Sequence, residues 1–261
     1  MFQSFSNSFG SITVASIGAS LVQAELNGNE LLHDFGDQWQ QWAAGALMFP
    51  FPVRMASGTV MAFEGAEYYW PINDEKHRAA LHGFTPWEEF ELAQLPDGIQ
   101  ASWNYDGSKD YYPFPCRLTI CYTIDELGLT LSGRIENLGK ANLPFHMGWH
   151  PYFKIEDNPF LAPSPVHRLK KNELSHPGDK IPFEGFDWNE EVDGAFLMDS
   201  IELRDISIQP LSDITQVFRP ADAPFVAIEP ITGLGHPDFP WRTVSPGEAD
   251  EVVTIIELMR R

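Results

Sequence analysis

Residues 118–124 read Leu-Thr-Ile-Cys-Tyr-Thr-Ile, and residues 129–135 read Leu-Thr-Leu-Ser-Gly-Arg-Ile. In both runs apolar side chains alternate with polar or small ones, which is the pattern of a strand with one buried face. The same alternation recurs in four further runs, at residues 19–26, 89–95, 201–208 and 252–258. These six runs predict a protein built mainly from β-strands.

Helical periodicity is hard to find in the chain, and 20 glycines and 21 prolines punctuate its short apolar runs. This punctuation favours an antiparallel β-sandwich over a fold in which strands and helices alternate. All-β sandwiches as long as this 261-residue chain often form one domain. We therefore predict an all-β fold, a large antiparallel β-sandwich, in a single domain over residues 1–261.

The charge of the chain bears on its partners and location. It has 17 Lys and Arg against 37 Asp and Glu, a formal net charge of -20 that repels phosphate backbones and anionic membrane surfaces. The sequence contains no uninterrupted apolar run of about 18 residues, the length that a spanning helix needs. Residues 1–53 contain no Lys or Arg, whereas a secretory signal needs a positive start. We expect a cytoplasmic protein without nucleic-acid or membrane partners.

Two cysteines, Cys116 and Cys121, are present. They lie in or beside one predicted strand, where five residues of extended chain span about 16 Å, too far for a disulfide. We expect both to be reduced thiols, as in cytoplasmic proteins.

Residues 144–153 read Pro-Phe-His-Met-Gly-Trp-His-Pro-Tyr-Phe. As an extended segment with period two, they place an apolar face toward the core and His146, Gly148 and His150 on the other face. The predicted core side chains are Phe145, Met147, Trp149 and Phe153. A ligand could approach the backbone at Gly148, beside two imidazoles suited to proton transfer near neutral pH. The alternative is a solvated strand face on which Gly148 marks a bulge.

Residues 225–230 read Phe-Val-Ala-Ile-Glu-Pro, a short apolar run that ends in a single carboxylate. Pro230 cannot continue a hydrogen-bonded ladder, so the run predicts Glu229 at the end of a strand, at the rim of the core. A carboxylate in that position is a candidate general base.

Two more residues are candidates for binding. Arg54 follows an aromatic and proline run, and its guanidinium can donate several fixed hydrogen bonds to hydroxyls or carboxylates. The alternative for Arg54 is a salt bridge to one of the many acids. His82 precedes Gly83, which can turn the chain, and taken alone it is more typical of an ordinary loop histidine.

Residues 157–193 are rich in Pro, Asn, Asp and Lys, which predicts a long, partly irregular loop after the histidine segment. Loops of this kind often border a site. The loop contains Arg168, Lys170 and Lys171, the one basic cluster that could bind a phosphate, although solvated loop charge is the interpretation that we favour.

Metal and cofactor binding find little support in the sequence. His146 and His150 have the spacing of a helical zinc pair, but no Glu follows His146 directly. Gly148 and Pro151 also disfavour a helix there. A serine nucleophile elbow, a phosphate-binding glycine loop and a dinucleotide fingerprint are absent from the sequence. Metal binding therefore stays a minor hypothesis, and no metal ligand is assigned.

The order of these pieces along the chain resembles the aldose 1-epimerase (mutarotase) family. The pieces are Arg54, Leu81-His82-Gly83, residues 148–153, Asp193 and Ile228-Glu229-Pro230. The likeness extends from residues 17–19 to residues 245–248, and the histidine block is its most specific part.

The resemblance implies a large antiparallel β-sandwich that binds a sugar in an open cleft and needs no cofactor. It implies that Glu229 takes the proton of the C1 hydroxyl and that His150 protonates the ring oxygen. The ring then opens, C1 turns about its bond to C2, and closure gives the other anomer. By the same resemblance, Arg54, His82 and Asp193 bind the ring oxygen and the hydroxyls.

We therefore expect an isomerase that acts on a free aldose. The alternatives are a hexose-6-phosphate 1-epimerase, a non-catalytic carbohydrate-binding protein and a metal-dependent β-barrel enzyme. The presence of both an acid and a base argues against the binding protein, because binding alone does not need that pair. The net charge of -20 favours a neutral aldose over its 6-phosphate.

Overall fold

The structure is a computed structural model that describes residues 1–155, 160–161, 167–169, 180–182, 190–197, 201–203, 206–212, 214–236 and 239–258. Within these residues the chain forms 24 strands and two 3₁₀ turns, Gly36–Gln38 and Thr85–Trp87. The first nine strands are β1 (Phe2–Ser6), β2 (Gly10–Ala15), β3 (Ser20–Leu26), β4 (Asn29–Glu30), β5 (Leu47–Met48), β6 (Val60–Phe63), β7 (Ala66–Tyr69), β8 (Glu91–Gln94) and β9 (Gly98–Tyr105). The next eight are β10 (Cys116–Ile124), β11 (Leu129–Asn137), β12 (Leu143–Phe145), β13 (Gly148–Trp149), β14 (Tyr152–Lys154), β15 (Phe160–Leu161), β16 (His167–Leu169) and β17 (Lys180–Pro182). The last seven are β18 (Val192–Leu197), β19 (Ile201–Leu203), β20 (Ile206–Ile208), β21 (Ile214–Arg219), β22 (Phe225–Pro230), β23 (Arg242–Val244) and β24 (Ala249–Leu258).

Two large sheets dominate the fold. One has eight strands in the order β15-β19-β20-β24-β11-β10-β9-β8, and the other has six in the order β14-β22-β21-β18-β16-β17. A four-stranded sheet, β1-β2-β3-β4, packs beside them. The ladders of β9, β10, β11 and β24, like those of β14, β22, β21 and β18, are antiparallel. The predicted all-β, antiparallel architecture is confirmed.

The main core lies between the two large sheets. Ile120 of β10 and Ile228 of β22 belong to the same buried apolar cluster, and each is 0% exposed. Trp149, which is also 0% exposed, joins the layers because its indole Nε1 donates a hydrogen bond of 3.2 Å to the Tyr122 hydroxyl of β10. Burial of these side chains is the main stabilising contribution expected in such a sandwich.

The six-stranded sheet has two different faces, and β22 shows both. Val226 and Ile228 point into the main core, whereas Phe225 and Ala227 belong to a separate cluster on the opposite face. Because side chains alternate along a strand, Glu229 lies on the same face as Phe225 and Ala227. This second face carries the candidate site.

The alternating runs forecast the strands well, with one exception. The runs at 118–124 and 129–135 lie within β10 and β11, which pair along their whole length. The run at 201–208 was expected to be one strand, and that expectation is wrong. It forms β19 and β20, which pair with each other as antiparallel neighbours, so the chain reverses between Leu203 and Ile206.

Several other predictions concern cysteines, helices and the long loop. Cys116 and Cys121 are both free thiols, as predicted. No helix in the described part of the chain is long and apolar enough to cross a membrane.

The predicted loop over residues 157–193 falls mostly outside the described residues, although β15, β16, β17 and the start of β18 lie within it. The side chains of Arg168, Lys170 and Lys171 also lie outside that description.

Candidate active site

The histidine segment reaches the site because two short backbone ladders fix it. Gly148–Trp149 pairs with Leu47–Met48, and the next residue, His150, donates its backbone N–H to the carbonyl of Ala46 at 3.0 Å. Phe145, Met147, Trp149 and Phe153 are all 0% exposed in the main core, as the period of two predicted. The solvated-face alternative is wrong, since His146 and His150 are only 2% and 4% exposed.

His150 and Glu229 meet on the second face of the six-stranded sheet. The imidazole Nε2 of His150 lies 3.5 Å from Oε1 of Glu229, and their side chains are 5% and 2% exposed. Glu229 lies deeper than the rim position predicted from sequence. His150 Nδ1 and Glu229 Oε2 have no hydrogen-bond partner among the described residues. Buried polar atoms without partners are uncommon and mark positions where a ligand can supply the missing bonds.

His82 is the third member of the cluster. Its ring centroid lies 4.9 Å from that of His150, with the planes at 83°. The backbone N–H of Val53 donates to His82 Nδ1 at 3.1 Å, so in the neutral ring Nε2 carries the proton. Gly83 turns the chain after His82, as the sequence predicted, and its φ is 66°. A Cβ at Gly83 would lie 2.1 Å from the carbonyl oxygen of Phe49, so the position needs glycine.

Arg54 and Asp193 also reach this face, and they bind each other. Arg54 Nη1 donates to Asp193 Oδ2 at 3.1 Å, and Arg54 Nε donates to Asp74 Oδ2 at 2.5 Å. The salt bridges predicted as the alternative for Arg54 are present, and its binding of a ligand stays a prediction. Asp193 is in β18, two strands from Glu229 across the sheet.

Two residues that the sequence reasoning missed complete this network. Gln216 of β21 is paired with Glu229 in the ladder and donates its side-chain amide to Asp193 Oδ1 at 2.8 Å. Asp74 accepts from Arg54 and from the His77 ring at 2.8 Å. Gln216 gave no distinct signal, because β21 reads Ile-Thr-Gln-Val-Phe-Arg and Gln216 is one of three polar residues in it. Asp74 gave none, because it sits among other polar loop residues.

Burial sets the protonation of the three central groups. Burial, assisted by Asp193 and opposed by Arg54, raises the pKa of Glu229 well above its usual range. Burial lowers the pKa of His150 to about 4, against the opposing effect of its own backbone and of Asp193. For His82, burial and then the His150 and Arg54 charges lower the pKa well below its usual value. The uncharged forms of all three are therefore favoured.

Asp74 differs from these groups because it stays ionised. Although burial opposes it, hydrogen bonds from Arg54 and His77 lower the pKa of Asp74 to about 2. A permanent carboxylate at this position fixes the guanidinium of Arg54, because a hydrogen bond between charged partners is stronger than a neutral one.

Gly148 has a different role from the one expected. A Cβ at this position would lie 2.5 Å from the carbonyl oxygen of Pro230 and 2.7 Å from Cγ2 of Ile231. The close neighbour of Gly148 is therefore protein backbone, and the expectation that a ligand approaches there is wrong. The glycine instead lets β13 pack tightly against the end of β22.

His82, His150 and Glu229 form one compact donor set. One ligating atom from each lies within 4.8 Å of the others. Two neutral imidazoles and a carboxylate can transfer protons to and from a bound molecule, and they are also a donor set suited to a divalent transition metal. The charged groups beside them, Arg54 and Asp193, favour a polar ligand over an apolar one.

Comparison with known proteins identifies the family. The family model described as aldose 1-epimerase matches residues 2–183 of this chain. The chain therefore belongs to the aldose 1-epimerase family. The matched region contains Arg54, His82 and His150, whereas Asp193 and Glu229 follow it.

Two relatives match parts of this chain. An uncharacterized protein of Escherichia coli K12, YihR, is 27% identical over 142 residues, which are 54% of this chain and 46% of that protein. A second one, YphB, is 32% identical over 108 residues, 41% of this chain and 36% of that protein. The chain thus spans less than half the length of these relatives in the matched regions.

Solved structures match over the full length. A galactose mutarotase-like protein from Clostridium acetobutylicum has a TM-score of 0.81 at 14% identity, covering 100% of this chain and 95% of that one. A galactose 1-epimerase from Lactobacillus acidophilus has a TM-score of 0.75 at 13% identity, covering 100% and 99%. At these identities the likeness establishes the galactose mutarotase-like fold, a large β-sandwich.

Proposed function

We propose that this protein is an aldose 1-epimerase that interconverts the α and β anomers of a free aldose, within one domain over residues 1–261. The observation that carries the proposal is the buried pair of His150 and Glu229, 3.5 Å apart, with an unpartnered atom on each side chain in the described part of the structure. Opening a hemiacetal needs one acid and one base near two oxygens of one carbon. This pair supplies both.

Glu229 is the base and His150 the acid in the proposed reaction. In the free protein, burial favours protonated Glu229 and neutral His150, so the pair holds one proton. Transfer of that proton from Glu229 to His150 gives the carboxylate and the imidazolium. The carboxylate then takes the C1 hydroxyl proton while the imidazolium protonates the ring oxygen. Closure of the ring on the other face of C1 returns both protons.

The other residues hold the sugar. His82 donates from Nε2, because Nδ1 already accepts from Val53. Arg54 and Asp193 bind hydroxyls, and Asp74 and Gln216 fix their orientation. The guanidinium of Arg54 is already paired with two carboxylates, Asp74 and Asp193, which favours a neutral aldose over its 6-phosphate.

A metal-dependent enzyme is the second candidate, because the three central residues form a possible ligand set. Elemental analysis of purified protein distinguishes the two, since one equivalent of bound transition metal contradicts the proposal. We also place the protein in the cytoplasm, an assignment that the two free cysteines support.

Polarimetry on freshly dissolved single-anomer sugars and sugar phosphates tests the function. The parent should accelerate mutarotation of at least one neutral aldose, and Glu229→Gln should lower the catalysed rate by about 10² or more. Glu91→Gln, at an exposed position on β8, is the matched control and should keep full activity. The His150→Asn, Glu229→Gln double variant should be little worse than the poorer single, because the two groups act as a unit. A folded Glu229→Gln protein with normal activity would exclude Glu229 as the base.

A further inference from the structure

A cavity of about 260 Å³ lies outside the catalytic cluster, between the four-stranded sheet and residues 33–44. Thr13 of β2 lines it and lies between the core residues Ile12 and Val14, so the cavity faces the side of that sheet turned away from the main core. The residues that decide its chemistry are Phe2, Gln23, Asp34, Phe35, Asp37 and Trp39.

Aromatic rings form one part of the wall. Phe2 is 58% exposed although it is a large apolar side chain, and its ring contacts that of half-buried Trp39 at 5.9 Å and 67°. Phe35, also half-buried, lines the cavity beside them. Neighbouring exposed aromatic side chains at a concave surface are typical of a binding site.

Polar groups form the other part of the wall. Asp34 and Asp37 offer carboxylate oxygens, and Gln23 offers both a donor and an acceptor. Asp34 uses Oδ1 to accept the backbone N–H of Gly36 at 2.7 Å, which fixes its carboxylate at the edge of the cavity. Two carboxylates in a chain with a net charge of -20 repel an anionic ligand.

We propose that this cavity binds a saccharide unit other than the one that reacts. A pyranose has an apolar face of C–H groups, which the Trp39 ring can cover, and a rim of hydroxyls, which the carboxylates and the amide can bind. The exposed carboxylates offer nothing to a purely apolar ligand, and they would repel a phosphate.

A chain of packed rings links the wall of the cavity to the candidate active site. Phe35 lines the cavity and meets the ring of Tyr152 edge-on at 5.0 Å, and Tyr152 stacks on His150 at 4.7 Å and 26°. The bound unit is therefore either the second unit of a reducing disaccharide or a separate sugar molecule. The first case rests on the proposed function, and the second does not.

Calorimetric titration with maltose, lactose, glucose and galactose tests the site. Trp39→Ala should weaken binding of at least one of these sugars roughly tenfold, because the stacking surface is lost. Asp37→Asn, which keeps the exposed side chain's shape, should weaken the same sugar several-fold. The matched control is Trp87→Ala, since Trp87 is 48% exposed and does not line the cavity. It should bind like the parent.

The source of the unit follows from two readouts. If it is part of the substrate, Trp39→Ala raises the KM for a disaccharide roughly tenfold and leaves monosaccharide mutarotation within about twofold. If it is a separate sugar, the parent binds two monosaccharides and Trp39→Ala binds one. Unchanged binding in both Trp39→Ala and Asp37→Asn overturns the proposal. If the parent binds sugar through Trp39 but shows no mutarotation, the proposed function is refuted and the second site is not. If the parent shows mutarotation but no binding that depends on Trp39, the second site is refuted and the proposed function is not.

Discussion

The core face and the site face of the six-stranded sheet differ in what they bury. On the core face, Val217 and Ile228 are 0% exposed and wholly apolar. On the site face, Glu229 is 1% exposed and one of its oxygens lacks a partner among the residues described. Apolar burial stabilises the fold, and an unsatisfied buried carboxyl group opposes it. The same strands thus bury stabilising apolar side chains on one face of the sheet and carry the candidate site on the other face.

His146 and His150 lie in one segment, and they differ as the core face and the site face differ. Both are buried, and burial lowers the pKa of each to about 4. The ring of His146, however, packs on Trp241 at 5.1 Å, whereas the ring of His150 faces Glu229. Both histidines share burial and a lowered pKa, and only His150 also converges with a second titrating group, which makes it the candidate for proton transfer.

The largest expected effect separates these two histidines. His150→Asn should lower the catalysed mutarotation rate by about 10² to 10⁴, because it removes a positioned proton-transfer group. His146→Asn should retain activity within a few-fold when rates are scaled to folded protein measured by circular dichroism. Equal losses in both variants would place the histidines in one common role and break the comparison.

The next effect separates two neighbouring residues of β22. Ile228→Ala should lower the free energy of unfolding by about 2–5 kcal/mol, because it leaves a cavity in the main core. Glu229→Gln should keep or raise that free energy at pH 7, because glutamine has no charge for burial to penalise. Denaturant titrations of both variants give the two values. A Glu229→Gln protein as unstable as Ile228→Ala would contradict the division between the faces.

The smallest effect concerns pH and should be alike for both histidines. Between pH 6.5 and about 4 the unfolded histidine binds a proton and the folded one does not, so stability falls as the pH falls. A pKa lowered from 6.5 to about 4 corresponds to at most about 3 kcal/mol for each residue. His146→Asn and His150→Asn should each reduce this acid-dependent loss in unfolding titrations at pH 7 and pH 4. Histidine variants whose stability falls as much as the parent's between pH 7 and pH 4 would refute the assigned burial.

Much of the architecture was predictable because alternation is a local signal. Residues 118–124 and 129–135 lie within β10 and β11, and the period of two correctly assigned Phe145, Met147, Trp149 and Phe153 to the main core. The run at 201–208 also alternates, yet the chain reverses inside it. Alternation reports which side of a sheet a residue faces, and it does not report where a strand turns back.

The candidate site was predictable only in part. His82, His150 and Glu229 do converge, although they are far apart in the chain. Asp74 was missed because its importance depends on meeting Arg54, a contact between loop residues that leaves no periodic pattern. The expectation that a ligand approaches Gly148 was wrong. The sequence reveals that Gly148 has no side chain, but it does not reveal which atoms fill that space, and here they belong to Pro230 and Ile231.

The position of β24 has a consequence for biosynthesis. This strand, the last one described, lies between β20 and β11 in the interior of the eight-stranded sheet. A nascent chain that ends before residue 249 would therefore expose two unpaired strand edges, which are templates for aggregation. Productive folding of this sheet must wait until residues 249–258 leave the ribosome, so chaperones that protect the chain until that point should matter for this protein.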